Sequence, residues 1–188
     1  MAISYHFDIG LDPDHRIAQN AEELIDEKRL VRLNRYENAL GIPAEMTVAF
    51  ADRVDITYDL NAAAVYAAGL LRDCYGKIDH VFVPLDTNGA LDIAGFIKTI
   101  KAFKKKIKVH GVRPEEAIGN DWNSPDALCD DVTAIAIDDC NKAAKDLNEY
   151  EEMQVSDVSA AVLFAGTDFA LTTKDKHHRI VMIFPESV

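Results

Sequence analysis

Ile3, Tyr5, Phe7 and Ile9 alternate with Ser4, His6 and Asp8, a period of two that puts apolar side chains on one face of an extended chain and predicts a strand over residues 3–9. Leu11-Asp12-Pro13-Asp14 is a turn-forming cluster. Beyond it Ile17, Ala21, Leu24, Val31 and Tyr36 recur near helical spacing, which predicts helix over residues 15–40, broken near Lys28 and ended by Gly41 and Pro43. Met46 to Phe50 and Val54 to Tyr58 are short β-prone runs, and Ala62 to Cys74 is a helix former that is apolar on most sides. Ile78 to Leu85 is β-branched and aromatic, the pattern of a strand, and Asp86-Thr87-Asn88-Gly89 reads as its exit loop.

From the candidate cap Asp92, the residues Ile93, Phe96, Ile97, Ile100 and Phe103 recur three or four apart and predict an amphipathic helix with lysines on its other face. Lys108 to Val112 reads as a short strand, and Arg113 to Asn123 as a loop or a helical turn. Two periods compete after the helix-start signal Ser124-Pro125-Asp126. The stripe Cys129, Val132, Ala136, Cys140, Ala143, Leu147 favours a helix, whereas the β-branched run Val132 to Ile137 favours a strand. We take the helix as the expectation. Ser159 to Phe164, Phe169 to Thr172 and Arg179 to Phe184 read as β runs, and the last two, joined by the polar residues Thr173 to His178, predict a C-terminal antiparallel β-hairpin.

Helices and strands alternate early and strands cluster late, so the expected class is α/β or α+β: one domain over residues 1–188, with helices packed on a mixed sheet. Apolar runs fall short of the roughly 20 residues that a bilayer span needs. The opening residues lack the pattern of a secretory signal, which makes the cytoplasm the expected location. Cys74, Cys129 and Cys140 form no C-x-x-C pair and read as reduced thiols.

Charge is the uneven feature. The formal net charge is −12. Residues 98–114 nevertheless carry 7 bases and no acid, and residues 115–157 carry 13 acids and 2 bases. Such runs can cover the solvent faces of neighbouring elements and pair across them. Read functionally, Lys104, Lys105 and Lys108 are candidate anion-binding residues, although the overall charge argues against general nucleic-acid binding. Asp130, Asp131, Asp138 and Asp139, with the single tryptophan Trp122 at the head of the acidic stretch, are candidates for binding a basic protein partner.

Enzyme signatures are absent: there is no G-x-S-x-G, Walker loop, G-x-G-x-x-G or H-E-x-x-H. Asp8, Asp12 and Asp14, with Asp86 after the 78–85 strand, could converge on a divalent metal, yet Asp12-Pro13-Asp14 also has the form of a plain turn before a helix. The loop at Asp86 to Asp92 lacks the ligands of an EF-hand, with Pro84 and Gly95 at the outer positions. His177 and His178 sit in the expected hairpin turn, where adjacent side chains point to opposite sides, and His6 faces the polar side of its strand beside Asp8. The expectation from sequence is therefore a non-enzymatic acidic protein, without cofactor, acting through contact as an inhibitor, an immunity-type partner or an assembly subunit. A small metal-dependent phosphoester hydrolase is the alternative.

Overall fold

The computed structural model describes residues 17–18, 30–51, 60–74, 77–85, 92–115, 125–173 and 177–185. Among them seven strands form one sheet: β1 (Ile17–Ala18), β2 (Leu30–Arg32), β3 (Glu45–Phe50), β4 (His80–Pro84), β5 (Lys108–Pro114), β6 (Asp131–Ile135) and β7 (Arg179–Phe184). Their spatial order is β1-β2-β3-β7-β4-β5-β6. The five strands from β3 to β6 in that order run parallel, whereas β2 is antiparallel to β3. The sheet is thus mixed, as the expected α/β class requires. The expected strands at 3–9 and 54–58 and the loop at 86–89 lie outside the described residues.

Period two sorts each central strand between two cores. Met46, Val48, Phe50, Phe82, Ile180, Met182 and Phe184 pack beneath the helices α1 (Asn34–Leu40), α4 (Ile137–Glu151) and α5 (Asp157–Thr172). Ala49, Val81, Val83, Val109, Val181 and Ile183 face α2 (Leu60–Asp73) and α3 (Ile93–Phe103) on the other side. Parallel strands joined through helices are covered on both faces, which is why β3, β4 and β7 read as nearly continuous apolar runs. Asp92 caps α3 as its position suggests, accepting from the Gly95 amide at 2.9 Å.

Three expectations are overturned. Residues 15–40 are not one helix: residues 17–18 and 30–32 are strand, and α1 closes at Gly41, whose φ of 65° is the left-handed conformation that glycine takes freely. The preferred helix through Val132 fails in favour of the competing strand. A 3₁₀ turn at Pro125–Leu128 leads into β6, and only then does α4 begin at Ile137. The chain is extended here because Asp130 is pinned to β5: its amide donates to the Val109 carbonyl at 2.7 Å, and its carboxylate accepts from the Val109 amide at 2.9 Å and from Lys101 and Lys108.

The C-terminal hairpin is the third. Residues 159–164 and 169–172 belong to α5, and β7 enters the middle of the sheet parallel to β3 and β4. Ser156 caps α5 by accepting from the Ser159 amide. The helix is apolar nearly all round because it is buried, so its sequence carries no period that separates helix from strand. Its small residues let it lie close to the sheet: a Cβ at Gly166 would come within 2.9 Å of Met182 Sδ.

Candidate functional site

Four strands and one helix bring a group of rings together that the sequence holds far apart. His80 opens β4, Phe82 follows two residues later on the same face, and His110 is the Cα partner of Phe82 on β5. Asp131 is in turn the partner of His110 on β6. On the other side of β4, Ile180 of β7 is the Cα partner of His80, and His178 precedes Ile180 by two residues on the same face. Phe169 of α5 closes the group from above, with its ring centroid 4.4 Å from His80, 5.2 Å from His110 and 5.7 Å from both Phe82 and His178.

A continuous line of hydrogen bonds runs through the group. His110 Nδ1 lies 2.8 and 2.9 Å from the two carboxylate oxygens of Asp131, and His110 Nε2 lies 2.9 Å from His80 Nδ1. A carboxylate only accepts, so His110 carries a proton on Nδ1, and in its neutral form it presents Nε2 as an acceptor. His80 must then donate from Nδ1, which leaves the lone pair of its Nε2 outside the line. The carboxylate end is open, with the Asp131 side chain 57% exposed against 9% for His110. Burial, followed by the neighbouring His110 and His178, lowers the His80 pKa to about 4, so this ring is neutral at physiological pH.

The group lies toward the amino-terminal edge of the parallel strands. The carboxyl-terminal edge, where open α/β sheets usually take ligands, is followed in sequence by residues 52–59, 86–91 and 116–124, outside the described residues.

The residues singled out from sequence fall elsewhere, apart from Asp131 and His178. Asp8, Asp12, Asp14, Asp86 and Trp122 lie outside the described residues. Among those described, no three histidine, cysteine, aspartate or glutamate side chains are arranged to hold a metal ion. Asp130 is occupied internally by Lys101, Lys108 and the Val109 amide, which together hold its carboxyl below the usual carboxylate range against the opposing effect of burial. Lys108 is therefore paired, whereas Lys104 and Lys105 are exposed between α3 and β5. Asp138 and Asp139 stand in the first turn of α4, where acids suit the helix dipole. Arg113 likewise meets Asp126, so basic and acidic stretches are joined in part by direct pairs.

His177 and His178 do diverge, the first exposed and the second turned into the ring group, but at the entry to a central strand and not in a hairpin turn. His80 and His110 were missed altogether. The signal available was a histidine within each of two apolar strands, Ile78 to Leu85 and Lys108 to Val112, where a polar ring must find partners. Neither cysteine on the α2–α3 side is activated: burial raises the Cys74 thiol to about 12 and the Cys129 thiol to about 11.

The geometry defines an α/β protein with a carboxylate–imidazole–imidazole chain. No family model and no curated protein matches the sequence. Solved structures do share the fold. O-acetyl serine sulfhydrylase isoform 3 from Entamoeba histolytica is 23% identical with a TM-score of 0.57, over 68% of this chain and 43% of that one. A hydrogen sulfide-producing enzyme from Fusobacterium nucleatum is 21% identical with a TM-score of 0.60, over 68% and 49%. The processed form of threonine deaminase isoform 2 from Solanum lycopersicum is 17% identical with a TM-score of 0.56, over 66% and 44%. The matched part is less than half the length of each of these enzymes.

These findings correct the expectation of a non-enzymatic protein of inhibitor or immunity type. That expectation rested on surface charge and missing motifs, and the architecture is instead one that enzymes carry. Among the described residues no helix is long and apolar enough to cross a membrane.

Proposed function

We propose that this chain is an enzyme whose reaction turns on a proton transfer at His80. The observation that carries this reading is the unbroken line Asp131–His110–His80. A neutral imidazole with a free Nε2 lone pair accepts a proton from an attacking O–H or S–H group. As Nε2 of His80 gains that proton, the proton on its Nδ1 passes to His110 Nε2. The resulting imidazolium of His110 is stabilised by the Asp131 carboxylate, as a carboxylate stabilises the histidine of a catalytic triad. Positive charge then leaves His80, whose pKa burial lowers, for a ring bonded to a carboxylate, and a base of low intrinsic pKa can work near neutral pH. Such positioned proton transfer contributes about 10²–10⁴-fold to a rate.

The named relatives in fold suggest small, substituted amino acids as the substrate class, O-acetylserine among them. Removing a substituent from the β-carbon of an amino acid calls for a carbanion-stabilising cofactor, pyridoxal phosphate on a lysine being a usual one. Every described lysine is exposed except Lys101, which is bonded to Asp130, so the described residues offer none for that role. General-base attack by water on the ester is the reaction this site supports.

The test is acetate release from O-acetylserine by the purified chain, followed by NMR with and without sulfide. We expect serine and acetate, with a loss of about 10²-fold or more in His80→Gln and His110→Phe. Acetate release at the blank rate, or release indifferent to both substitutions, refutes the reading.

A further inference from the structure

We infer that His178 is a positioning residue for this relay, holding the His80 ring in the orientation that keeps its Nδ1 on His110. The inference rests on the proton-transfer reading of the same site. His80 makes ring contacts with His110, Phe169 and His178, at 5.1, 4.4 and 4.8 Å between centroids. His110 supplies the hydrogen bond and Phe169 a tilted apolar face, whereas His178 meets His80 edge to face at 85°. A half-turn of the His80 ring about its Cβ–Cγ bond would carry Nδ1 away from His110. Rings packed against it in three different planes oppose that turn.

The backbone around His178 is built to keep it there. His177 has a φ of 78°, in the left-handed region that a side chain other than glycine rarely adopts. Such a conformation persists only where the surroundings over-determine it, and here they do. The His177 amide donates to Pro43 O at 3.2 Å, and the Glu45 amide donates to His178 O at 2.8 Å. The Arg179 amide donates to Asp79 Oδ2 at 2.9 Å, and the Asp79 amide returns a bond to Arg179 O at 3.0 Å. The residues leading into β3 and β4 therefore grip the residues on each side of His178. Its Nε2 is sealed from solvent without a hydrogen-bond partner among the described residues, so the ring's place is not explained by a bond of its own. Ring packing is what this arrangement secures.

Among the described residues, the charged and titratable groups around His80 are its neighbour Asp79, His110 and Lys108 from β5, Asp131 through His110, and His178 with Arg179 at the start of β7. The residue that α5 brings against it is Phe169, which does not titrate.

The experiment is the tautomer state of His80, read from long-range ¹H–¹⁵N imidazole couplings in the intact chain near neutral pH. Two variants separate the ring from its nitrogen: His178→Phe keeps a ring, and His178→Leu keeps bulk without one. We expect a single Nδ1–H tautomer in the unsubstituted protein and in His178→Phe. In His178→Leu we expect a mixture, with exchange of the Nδ1 proton at least about tenfold faster as its bond opens more often. A single tautomer in His178→Leu overturns the inference, as does a mixture in His178→Phe. Should His178→Leu fail to fold, the comparison of His178→Phe with the unsubstituted protein still decides. The tautomer measurement does not depend on turnover, so the two failures are distinct: His80→Gln that keeps full activity refutes the relay, whereas the tautomers of the His178 variants test the positioning role.

Discussion

Acidification is the perturbation that most directly tests the environment of His80. Its pKa in the folded chain is about 4, against an unfolded value of 6.5. Between these values the unfolded chain binds a proton that the folded chain refuses, so stability increases with pH across this window. Stability from this source is complete above pH 6.5, declines as pH falls toward 4, and is flat below. At pH 5 the two values correspond to about 2 kcal/mol of lost stability relative to pH 7. Because the ring is only half buried, solvent screening reduces this to about 1 kcal/mol. For a chain of this length that is a change of about 2–4 °C in melting temperature.

Carboxylates titrate over part of the same range, so the informative quantity is a difference. The melting temperature of the unsubstituted protein and of His80→Gln would be measured by calorimetry at pH 7 and pH 5. We expect the drop on acidification to be smaller in His80→Gln by about 2–4 °C, since glutamine takes up no proton. Equal drops in the two proteins would refute the argument, because they would mean that His80 titrates alike in the folded and unfolded chains.

Other parts of the fold make their own predictions. Glu151 is 1% exposed and accepts from the Tyr36 amide at 2.9 Å, at the start of α1, whose own cap position holds Leu33 and supplies no side-chain bond. Glu151→Ala should cost about 1–3 kcal/mol in urea denaturation, Glu151→Gln should cost less, and equal costs would show that the bond to α1 is unimportant. Cys74 and Cys129, with thiols raised to about 12 and 11, should react with a disulfide reagent at pH 8 far more slowly in the folded chain than in urea; comparable rates would contradict their burial. A Cβ at Gly111 would meet Leu85 at 2.8 Å and Cys129 Sγ at 3.0 Å, so Gly111→Ala should destabilise by about 1–3 kcal/mol. A neutral result would show that Leu85 and Cys129 yield readily.

The helices with a clear stripe were legible from sequence. Phe96, Ile97 and Ile100 line one side of α3, and Asp92 caps it as its position suggested. The short strands β3, β4 and β5 were legible too, since β-branched and aromatic residues crowd into runs with turn residues beside them. The later part of the chain resisted for a physical reason. In α5 the buried run Ser159 to Leu163 takes in every side of the helix, and a segment buried all round has no polar face to mark its period. β6 deceived in the opposite way: Cys129, Val132 and Cys140 happen to recur at helical spacing, while what extends the chain is the anchoring of Asp130 to Val109, Lys101 and Lys108, about 20 to 30 residues earlier.

The candidate site shows the same division. Composition and pattern alone determined that this chain mixes helices with strands, that its charge is divided into basic and acidic stretches, and that no familiar catalytic motif is present. Only the tertiary structure decided that β7 lies between β3 and β4, which brings His178 toward His80 across 98 residues of sequence, and that β4, β5 and β6 pair in the register that lines up His80, His110 and Asp131. Register between distant strands is set by the packing of whole faces against helices, a sum over many contacts that no local stretch of sequence carries.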